Sequence, residues 1–153
     1  MKITDCLSPE RILFLDNPPK AEVVNQLVNA LATAPAVTDA AALRKAIFAR
    51  EKILSTGIGL GIAVPHAKIP EVTEFVISVG LSTKGVEFDA IDAQPANVIV
   101  MIAGPDGQQD RYLKLLAHTT LTLKNAKNRN ALLAAGTSEA VWNLLNKERC
   151  QNG

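Results

Sequence analysis

The sequence predicts an α/β domain in which helices pack on a β-sheet. Segments of helical periodicity stand before and after two runs of β-branched residues, and the composition is 48% hydrophobic but only 4% aromatic. Such a composition indicates an aliphatic core, which suits helices packed on a sheet. A chain of 153 residues lies within the usual size of one domain. No repeat or low-complexity linker divides it, and we expect a single domain over residues 1–153.

The N-terminal part of the chain predicts one short strand and then a helix. Residues 12–15 are a strand candidate, which ends at Asn-Pro-Pro in residues 17–19 because proline cannot donate to a β-ladder. Residues 20–32 repeat apolar side chains at helical spacing, and Pro35 ends this helix. The apolar positions are Val23, Val24, Leu27, Val28 and Leu31.

A second helix is predicted before a glycine-rich segment. Thr38 or Asp39 can cap its N-terminus, because the side-chain oxygen of either residue can accept from an unpaired N–H group. Its apolar positions are Leu43, Ile47 and Phe48. The helix runs toward Arg50 and Glu51, so we expect Arg50 at its end, beside the glycine-rich segment.

The middle of the chain predicts two buried strands and the helix that follows them. Residues 75–81 and 97–103 are rich in β-branched side chains and bounded by turn formers, which is typical of buried strands. Leucines at helical spacing then predict a helix that begins at Gln108 or Asp110 and ends at Leu123.

Two short helices are predicted to close the chain. The first covers residues 127–135 and ends at Gly136, because glycine readily adopts the positive φ of a C-terminal stop. The second covers residues 138–146, with Ser138 as its N-cap. Helix pairs on either side of a run of strands are consistent with a layered α/β domain.

The segment between the second helix and the first buried strand carries the candidate chemistry. Three alternating glycines, preceded by Ser55 and Thr56, lead into Pro65-His66. Glycine admits positive φ, so successive N–H groups can converge on an anion, and histidine offers a neutral nucleophile around neutral pH. We therefore predict a phosphorylatable His66 beside a phosphate-binding loop. The predicted loop comprises Thr56, Gly57, Gly59 and Gly61.

The same residues allow one other interpretation, disfavour a dinucleotide-binding loop and exclude a P-loop. A tight turn followed by a partly exposed histidine fits the glycine spacing equally well. The Gly-x-Gly-x-x-Gly dinucleotide fingerprint fits worse, because the spacing differs and Pro65 stands where a helix should run. A P-loop is excluded, since no Lys-Ser or Lys-Thr pair follows a glycine.

The block around the glycines resembles a known family. Residues 50–52, 55–59 and 61–66 are similar to the enzyme IIA domains of the bacterial phosphotransferase system, fructose/mannitol type. Weaker similarity extends through residues 85–90 and 94–98 and covers most of the chain. The resemblance implies a mixed β-sheet flanked by helices on both faces.

The resemblance also implies roles for individual residues. His66 is expected to accept a phosphoryl group on Nε2 from the phosphocarrier HPr or its nitrogen-branch paralogue. The guanidinium of Arg50 is always charged, and its planar set of N–H donors suits phosphate oxygens; the alternative for Arg50 is a surface ion pair with Glu51 or another acidic residue. Tyr112 stands where family members often carry a second histidine, and its phenol can donate a hydrogen bond but cannot become a cation. His118 falls too far along the same helix to replace that histidine.

Composition and charge argue against several other classes of protein. A net charge of +1 gives no long-range attraction to nucleic acid or anionic membranes. No apolar run reaches the roughly 20 residues that a membrane span needs, and the first residues lack a signal-peptide core, so we expect a cytoplasmic protein. Cys6 and Cys150 have no Cys-x-x-Cys spacing, and we expect free thiols, no metal site and no cofactor.

Two functions follow from the resemblance, and both require an HPr-like phosphocarrier protein as partner. The first is a phosphoryl carrier whose phosphorylation state regulates a target protein, as in the nitrogen branch, without small-molecule turnover of its own. The alternative is a sugar-specific IIA component that relays phosphate to a IIB domain for fructose/mannitol-type uptake. A chain without an attached IIB or membrane domain favours the first. A hydrolase that uses His66 as base is disfavoured, because no Gly-x-Ser-x-Gly elbow accompanies it.

Overall fold

A mixed β-sheet of six strands lies at the centre of residues 1–147, the part of the chain that this computed structural model describes. The strands are β1 (Ile12–Phe14), β2 (Gly57–Gly59), β3 (Ile62–Ala63), β4 (His66–Lys68), β5 (Val76–Val86) and β6 (Ala96–Gly104). The long strands β5 and β6 pair antiparallel, and β1 adds in parallel to β5. On the other edge of β6 lie β3 and β4, both parallel to it, and β2 pairs antiparallel with β3.

Helices cover both faces of this sheet. They are α1 (Lys20–Leu31), α2 (Ala40–Ile53), α3 (Gln109–Lys124), α4 (Ala126–Ala134) and α5 (Ser138–Lys147), with 3-10 turns at Ile3–Asp5 and Pro9–Arg11. Because side chains alternate along a strand, Val98 and Val100 of β6 pack in one core with α3, α4 and α5. Ile99 and Met101 pack in a second core with α1 and α2. The predicted layered α/β fold, a mixed sheet flanked by helices on both faces, is confirmed.

The long predicted elements are present with small shifts at their ends. Helix α2 continues to Ile53, beyond Arg50, and its cap is Asp39, whose Oδ1 accepts from the N–H of Ala42 at 3.0 Å. Strand β5 continues to Val86, with an irregularity in its register after Leu81. A helix cap depends on residues that are close in sequence, whereas the end of a strand depends on how far its partner strand continues beside it.

The predicted N-cap of the last helix is wrong by one residue. Thr137 caps α5, because its Oγ1 accepts from the N–H of Ala140 at 3.2 Å. Ser138 is the first helical residue, and its Oγ donates to the carbonyl of Ile12 at 3.5 Å. Ser138 therefore ties the helix to β1 instead of capping it.

Three short strands, β2, β3 and β4, were not predicted. Each has two or three residues, which is too short to show a period of alternation. Strands β3 and β4 exist because β6 offers them a continuous edge to pair with, and β2 exists because it pairs with β3.

Two further expectations concern the state of the cysteines and the absence of a membrane span. Cys6 is a buried free thiol, and Cys150 lies outside the described residues. Among residues 1–147, no helix is both long enough and apolar enough to cross a bilayer.

Candidate functional site

Strands β3 and β4 lie end to end along one edge of β6 and fix the position of His66. Ile62 of β3 pairs with Val98, and His66 of β4 pairs with Ile102. Between the two strands, Pro65 has no N–H to donate, but its carbonyl accepts from the N–H of Ile102 at 3.0 Å. His66 is therefore held at the start of β4, where its side chain is half-buried.

One backbone carbonyl determines the tautomer of His66. Nδ1 lies 2.7 Å from the carbonyl oxygen of Val64. Because a carbonyl can only accept, Nδ1 carries the hydrogen and donates it. In the neutral ring Nε2 is then unprotonated, and its lone pair is available to an electrophile. The sequence predicted Nε2 as the acceptor atom through the family resemblance alone, and this hydrogen bond supports that prediction with a physical argument.

Burial lowers the pKa of His66 below its ordinary value. The positive charge of Arg50 acts in the same direction, while the hydrogen bond to Val64 and the negative charge of Glu51 oppose it, and the net result is a lower pKa. His66 is therefore neutral around neutral pH, and a neutral imidazole is the form that acts as a nucleophile.

The last turn of α2 places Arg50 near His66. Its Nη1 donates to the carbonyl of Leu54 at 2.7 Å, which anchors the guanidinium where the chain leaves the helix. The alternative ion pair with Glu51 is not formed, since Glu51 instead contacts Nζ of Lys20 at 2.9 Å. Within residues 1–147, no carboxylate lies within salt-bridge distance of Arg50. Its charge is thus available to an anion.

Arg50 and His66 line the same cleft, which has a volume of about 240 Å³. The other lining residues are Leu54, Ser55, Thr56, Ile58, Val64, Leu116 and Thr120. Leu116 and Thr120 are four residues apart on α3 and share one helix face; Tyr112, another four residues earlier, does not line the cleft. That spacing was visible in the sequence and could have identified this wall of the cleft.

Tyr112 lies beside His66 and contacts it through its ring. The ring centroids are 5.9 Å apart and the planes meet at 64°, an edge-to-face arrangement. The Tyr112 ring also stacks on Phe75 at a centroid distance of 6.4 Å. Burial raises the pKa of the phenol well above its ordinary value, although Arg50 lowers it slightly. The position that the sequence matched to a second histidine is therefore adjacent to His66, and it presents a neutral ring.

The glycines form the turn between β2 and β3. Gly59, Leu60 and Gly61 have φ values of 89°, 59° and 76°, a region that side chains adopt rarely. Gly57 lies against Ala90, because a Cβ at Gly57 would come within 2.9 Å of the Ala90 Cα. The tight turn that the sequence left open as an alternative describes this segment.

The N–H groups predicted to bind phosphate are partly used inside the protein. The N–H of Thr56 donates to Glu51 at 3.2 Å, and that of Gly57 donates to Oγ of Ser55 at 3.0 Å. Of the four residues in the predicted loop, only Thr56 lines the cleft; the three glycines do not. The structure therefore brings together Arg50, His66, Thr56 and Tyr112 but not the glycines.

Two groups near His66 were not assigned to the site by sequence reasoning. The carbonyl of Val64 carries no signal in a residue-type pattern, because every residue has one. The carboxylate of Glu51 was considered only as a partner for Arg50. Within residues 1–147, no three His, Cys, Asp or Glu side chains are grouped so that they could hold a metal ion.

A family model described as "Phosphoenolpyruvate-dependent sugar phosphotransferase system, EIIA 2" matches residues 5–148. The chain is 36% identical over 148 residues to the PTS system fructose-specific EIIABC component of Bacillus subtilis. The aligned region covers 96% of this chain but only 23% of that protein. It is 31% identical to the PTS system fructose-specific EIIA component of Haloferax volcanii, over 95% of this chain and 97% of that one. It is 30% identical to the nitrogen regulatory protein of Pseudomonas aeruginosa, over 95% of each chain.

Solved structures share the fold. The nitrogen regulatory protein IIA-Ntr of Neisseria meningitidis superposes with a TM-score of 0.87 at 24% identity, covering 94% of this chain and 98% of that one. The mannitol IIA of Escherichia coli superposes with a TM-score of 0.77 at 22% identity, covering 91% of this chain and 98% of that one.

Proposed function

Because the chain belongs to the EIIA 2 family of the phosphoenolpyruvate-dependent sugar phosphotransferase system, we propose that it carries a phosphoryl group on Nε2 of His66. The observation that carries the proposal is the hydrogen bond of 2.7 Å from His66 Nδ1 to the carbonyl of Val64. It leaves Nε2 unprotonated, and the lowered pKa keeps the ring neutral. The chain is then a phosphotransferase-type carrier.

The chemistry is a direct exchange between two histidines. Nε2 of His66 attacks phosphorus in line with the P–N bond of the phosphorylated donor, and that bond breaks as the new one forms. The donor imidazole leaves neutral if its other nitrogen carries a proton. Positive charge then develops on the His66 ring, where the Val64 carbonyl stabilises it through Nδ1–H.

Arg50 and Tyr112 have different parts in this exchange. Arg50 is anchored on one N–H, and its remaining donors suit the oxygens of the transferring phosphoryl group. Tyr112 packs edge-on against the imidazole and limits its rotation. The Tyr112 hydroxyl is proposed as a neutral donor to the phosphoryl group, in place of the family's second histidine.

The mouth of the cleft suits a protein as donor. Leu54 and Ile58 both line it and are 70% and 37% exposed. Exposed apolar side chains around a charged centre are typical of a protein contact surface. We propose an HPr-like phosphocarrier as donor and the cytoplasm as the compartment of the exchange.

For the fate of the phosphoryl group we propose regulation first and relay second. The similarity to the nitrogen regulatory protein extends over 95% of both chains and supports a state-dependent contact with a target protein. The similarity to two fructose-specific proteins supports the relay to a IIB domain. Enzyme IIA mannitol of Escherichia coli in its complex with phosphorylated enzyme IIB mannitol has the same fold, with a TM-score of 0.78 at 21% identity, covering 92% of this chain and 97% of that one.

Phosphorylation with purified components tests the acceptor. Incubation with phosphoenolpyruvate, enzyme I and the cognate HPr-like protein should give one acid-labile phosphoryl group per chain. His66→Ala should abolish it, whereas His118→Ala, which changes the other histidine, should keep it. Full labelling of folded His66→Ala would assign the phosphoryl group to another residue. Addition of a IIB domain to the labelled protein then distinguishes the two functions. In a relay the label is lost from this chain, whereas in regulation it stays on the chain.

A further inference from the structure

Glu51 is a buried carboxylate whose contacts lead toward the site. Its side chain is 6% exposed and lies 2.9 Å from Nζ of Lys20. It also accepts from the N–H of Thr56 at 3.2 Å and from the Thr56 hydroxyl. A buried carboxylate with these three donors is satisfied, and it joins the last turn of α2 to the residue just before β2.

Thr56 connects Glu51 to the group that sets the His66 tautomer. The carbonyl of Thr56 accepts from the N–H of Val64 at 3.1 Å, and the carbonyl of Val64 accepts from His66 Nδ1 at 2.7 Å. Four residues are therefore joined in one continuous series of hydrogen bonds. A shift of Thr56 would move the Val64 peptide and with it the acceptor of Nδ1–H.

The same turn fixes the other charged group of the cleft. Arg50 precedes Glu51 and donates to the carbonyl of Leu54, two residues before Thr56. Arg50 and Glu51 thus hold the connection between α2 and β2 from both ends, one through Leu54 and the other through Thr56.

We propose that Glu51 is a positioning residue for phosphoryl transfer. Through Thr56 and Val64 it holds His66 as the Nδ1–H tautomer, and it keeps Arg50 in a fixed position relative to His66. This inference rests on the proposed function, since it assumes that His66 is the acceptor. Glu51 does not line the cleft and acts only through its neighbours. Misplacement of a reacting group by about 1 Å can cost about 10²-fold in rate, so a support of this kind has a measurable effect.

Two pairs of variants separate positioning from general stability. Glu51→Gln and Thr56→Val remove the carboxylate or the hydroxyl that contacts it. Their controls are Glu22→Gln, which removes an exposed charge on α1, and Thr56→Ser, which keeps the hydroxyl. In Glu51→Gln, Nζ of Lys20 still lies 3.5 Å from Asp89, which limits the loss of stability.

The first measurement uses the unphosphorylated protein. The ¹⁵N chemical shifts of the His66 ring distinguish a protonated from an unprotonated nitrogen. We expect Glu51→Gln and Thr56→Val to raise the fraction of the Nε2–H tautomer, and the two controls to keep the wild-type shifts. Wild-type shifts in both folded variants would overturn the proposal. If Glu51→Gln does not fold, Thr56→Val and Thr56→Ser decide.

The second measurement is the rate of phosphoryl transfer from the HPr-like donor. We expect a loss of about tenfold or more in Glu51→Gln and Thr56→Val, within the range that misplacement produces, and the wild-type rate in the control Glu22→Gln. Altered shifts with an unchanged rate would overturn the role in transfer. If the wild-type chain accepts no phosphoryl group, the proposed function fails, while the ¹⁵N shifts still test whether Glu51 positions His66.

Discussion

At His66, we infer that the proposed reactivity depends on the backbone around it as much as on the imidazole itself. Burial keeps the ring neutral, and the Val64 carbonyl leaves Nε2 as the free nitrogen. The residue type suggested a nucleophile, but an isolated histidine has two tautomers. The choice between them is made by a carbonyl two positions earlier in the chain.

We expect Arg50 to affect the rate of phosphoryl transfer much more than the stability of the fold. Arg50→Ala should slow transfer to His66 by about 10²–10³-fold, as loss of a preorganised donor to a transition state does. The free energy of unfolding should change little, because the described guanidinium contact is one hydrogen bond to Leu54. Arg50→Lys should recover part of the rate, since an ammonium cannot reproduce the fork. Single-turnover kinetics and urea unfolding measure the two quantities.

A second arginine on the same helix is the control for this prediction. Arg44 donates to Oδ1 of Asn29 at 2.9 Å and does not line the cleft. Arg44→Ala should keep the wild-type transfer rate. Equal transfer rates in Arg50→Ala and Arg44→Ala would show that Arg50 is an ordinary surface charge without a role in transfer.

At Tyr112 the ring and the hydroxyl can be tested apart. Tyr112→Phe keeps the ring that packs on His66 and Phe75 and removes only the hydroxyl. If the hydroxyl donates to the phosphoryl group, transfer should slow by an amount equivalent to about 0.5–3 kcal/mol, the range from ordinary to charge-assisted hydrogen bonds. Transfer rates and the lifetime of phosphorylated His66 measure it. Identical values for Tyr112→Phe and the wild type would show that Tyr112 acts only through the packing of its ring.

At the scale of elements, the β2–β3 hairpin explains the glycine pattern. The turn requires positive φ at three successive residues, Gly59, Leu60 and Gly61, and Gly57 requires close approach to the loop after β5. The hairpin also carries Thr56 and Val64, the residues on either side of one backbone hydrogen bond. The glycines therefore support the site by shaping the element that holds it.

Gly57→Ala should destabilise this hairpin. The new Cβ would meet the Cα of Ala90 at 2.9 Å and its Cβ at 3.0 Å, and overpacking of this kind costs about 1–3 kcal/mol of unfolding free energy. Urea unfolding measures the loss. Adding Ala90→Gly removes one of the two close atoms, so the double variant should recover part of it. A single variant as stable as wild type would show that the loop moves aside at no cost.

At the scale of the whole molecule, β6 joins the two cores and the site. Its side chains alternate between the core with α1 and α2 and the core with α3, α4 and α5, while its edge receives β3 and β4. Arg50 comes from a helix on one face, and Tyr112 from a helix on the other. The cleft therefore forms where both layers meet the edge of the sheet.

The sequence by itself determined the long helices, the strands β1, β5 and β6, and His66 as the candidate acceptor. Helical periodicity and β-branched runs are properties of one continuous segment, and a glycine-rich lead into Pro-His is a local pattern. Asp39 could be identified as a possible cap for the same reason, since a cap acts within three residues.

Only the tertiary structure decided the short strands, the tautomer of His66, the contact of Tyr112 with it and the connections of Glu51. The two or three residues of β4 form a strand because β6 pairs with them, and Tyr112 reaches His66 from a helix 46 positions later in the chain. The glycines were predicted to bind phosphate, yet their neighbours in space are Ala90, Asp92 and Asn97. Contacts between distant segments depend on the packing of the complete fold, and a local pattern of residue types does not contain them.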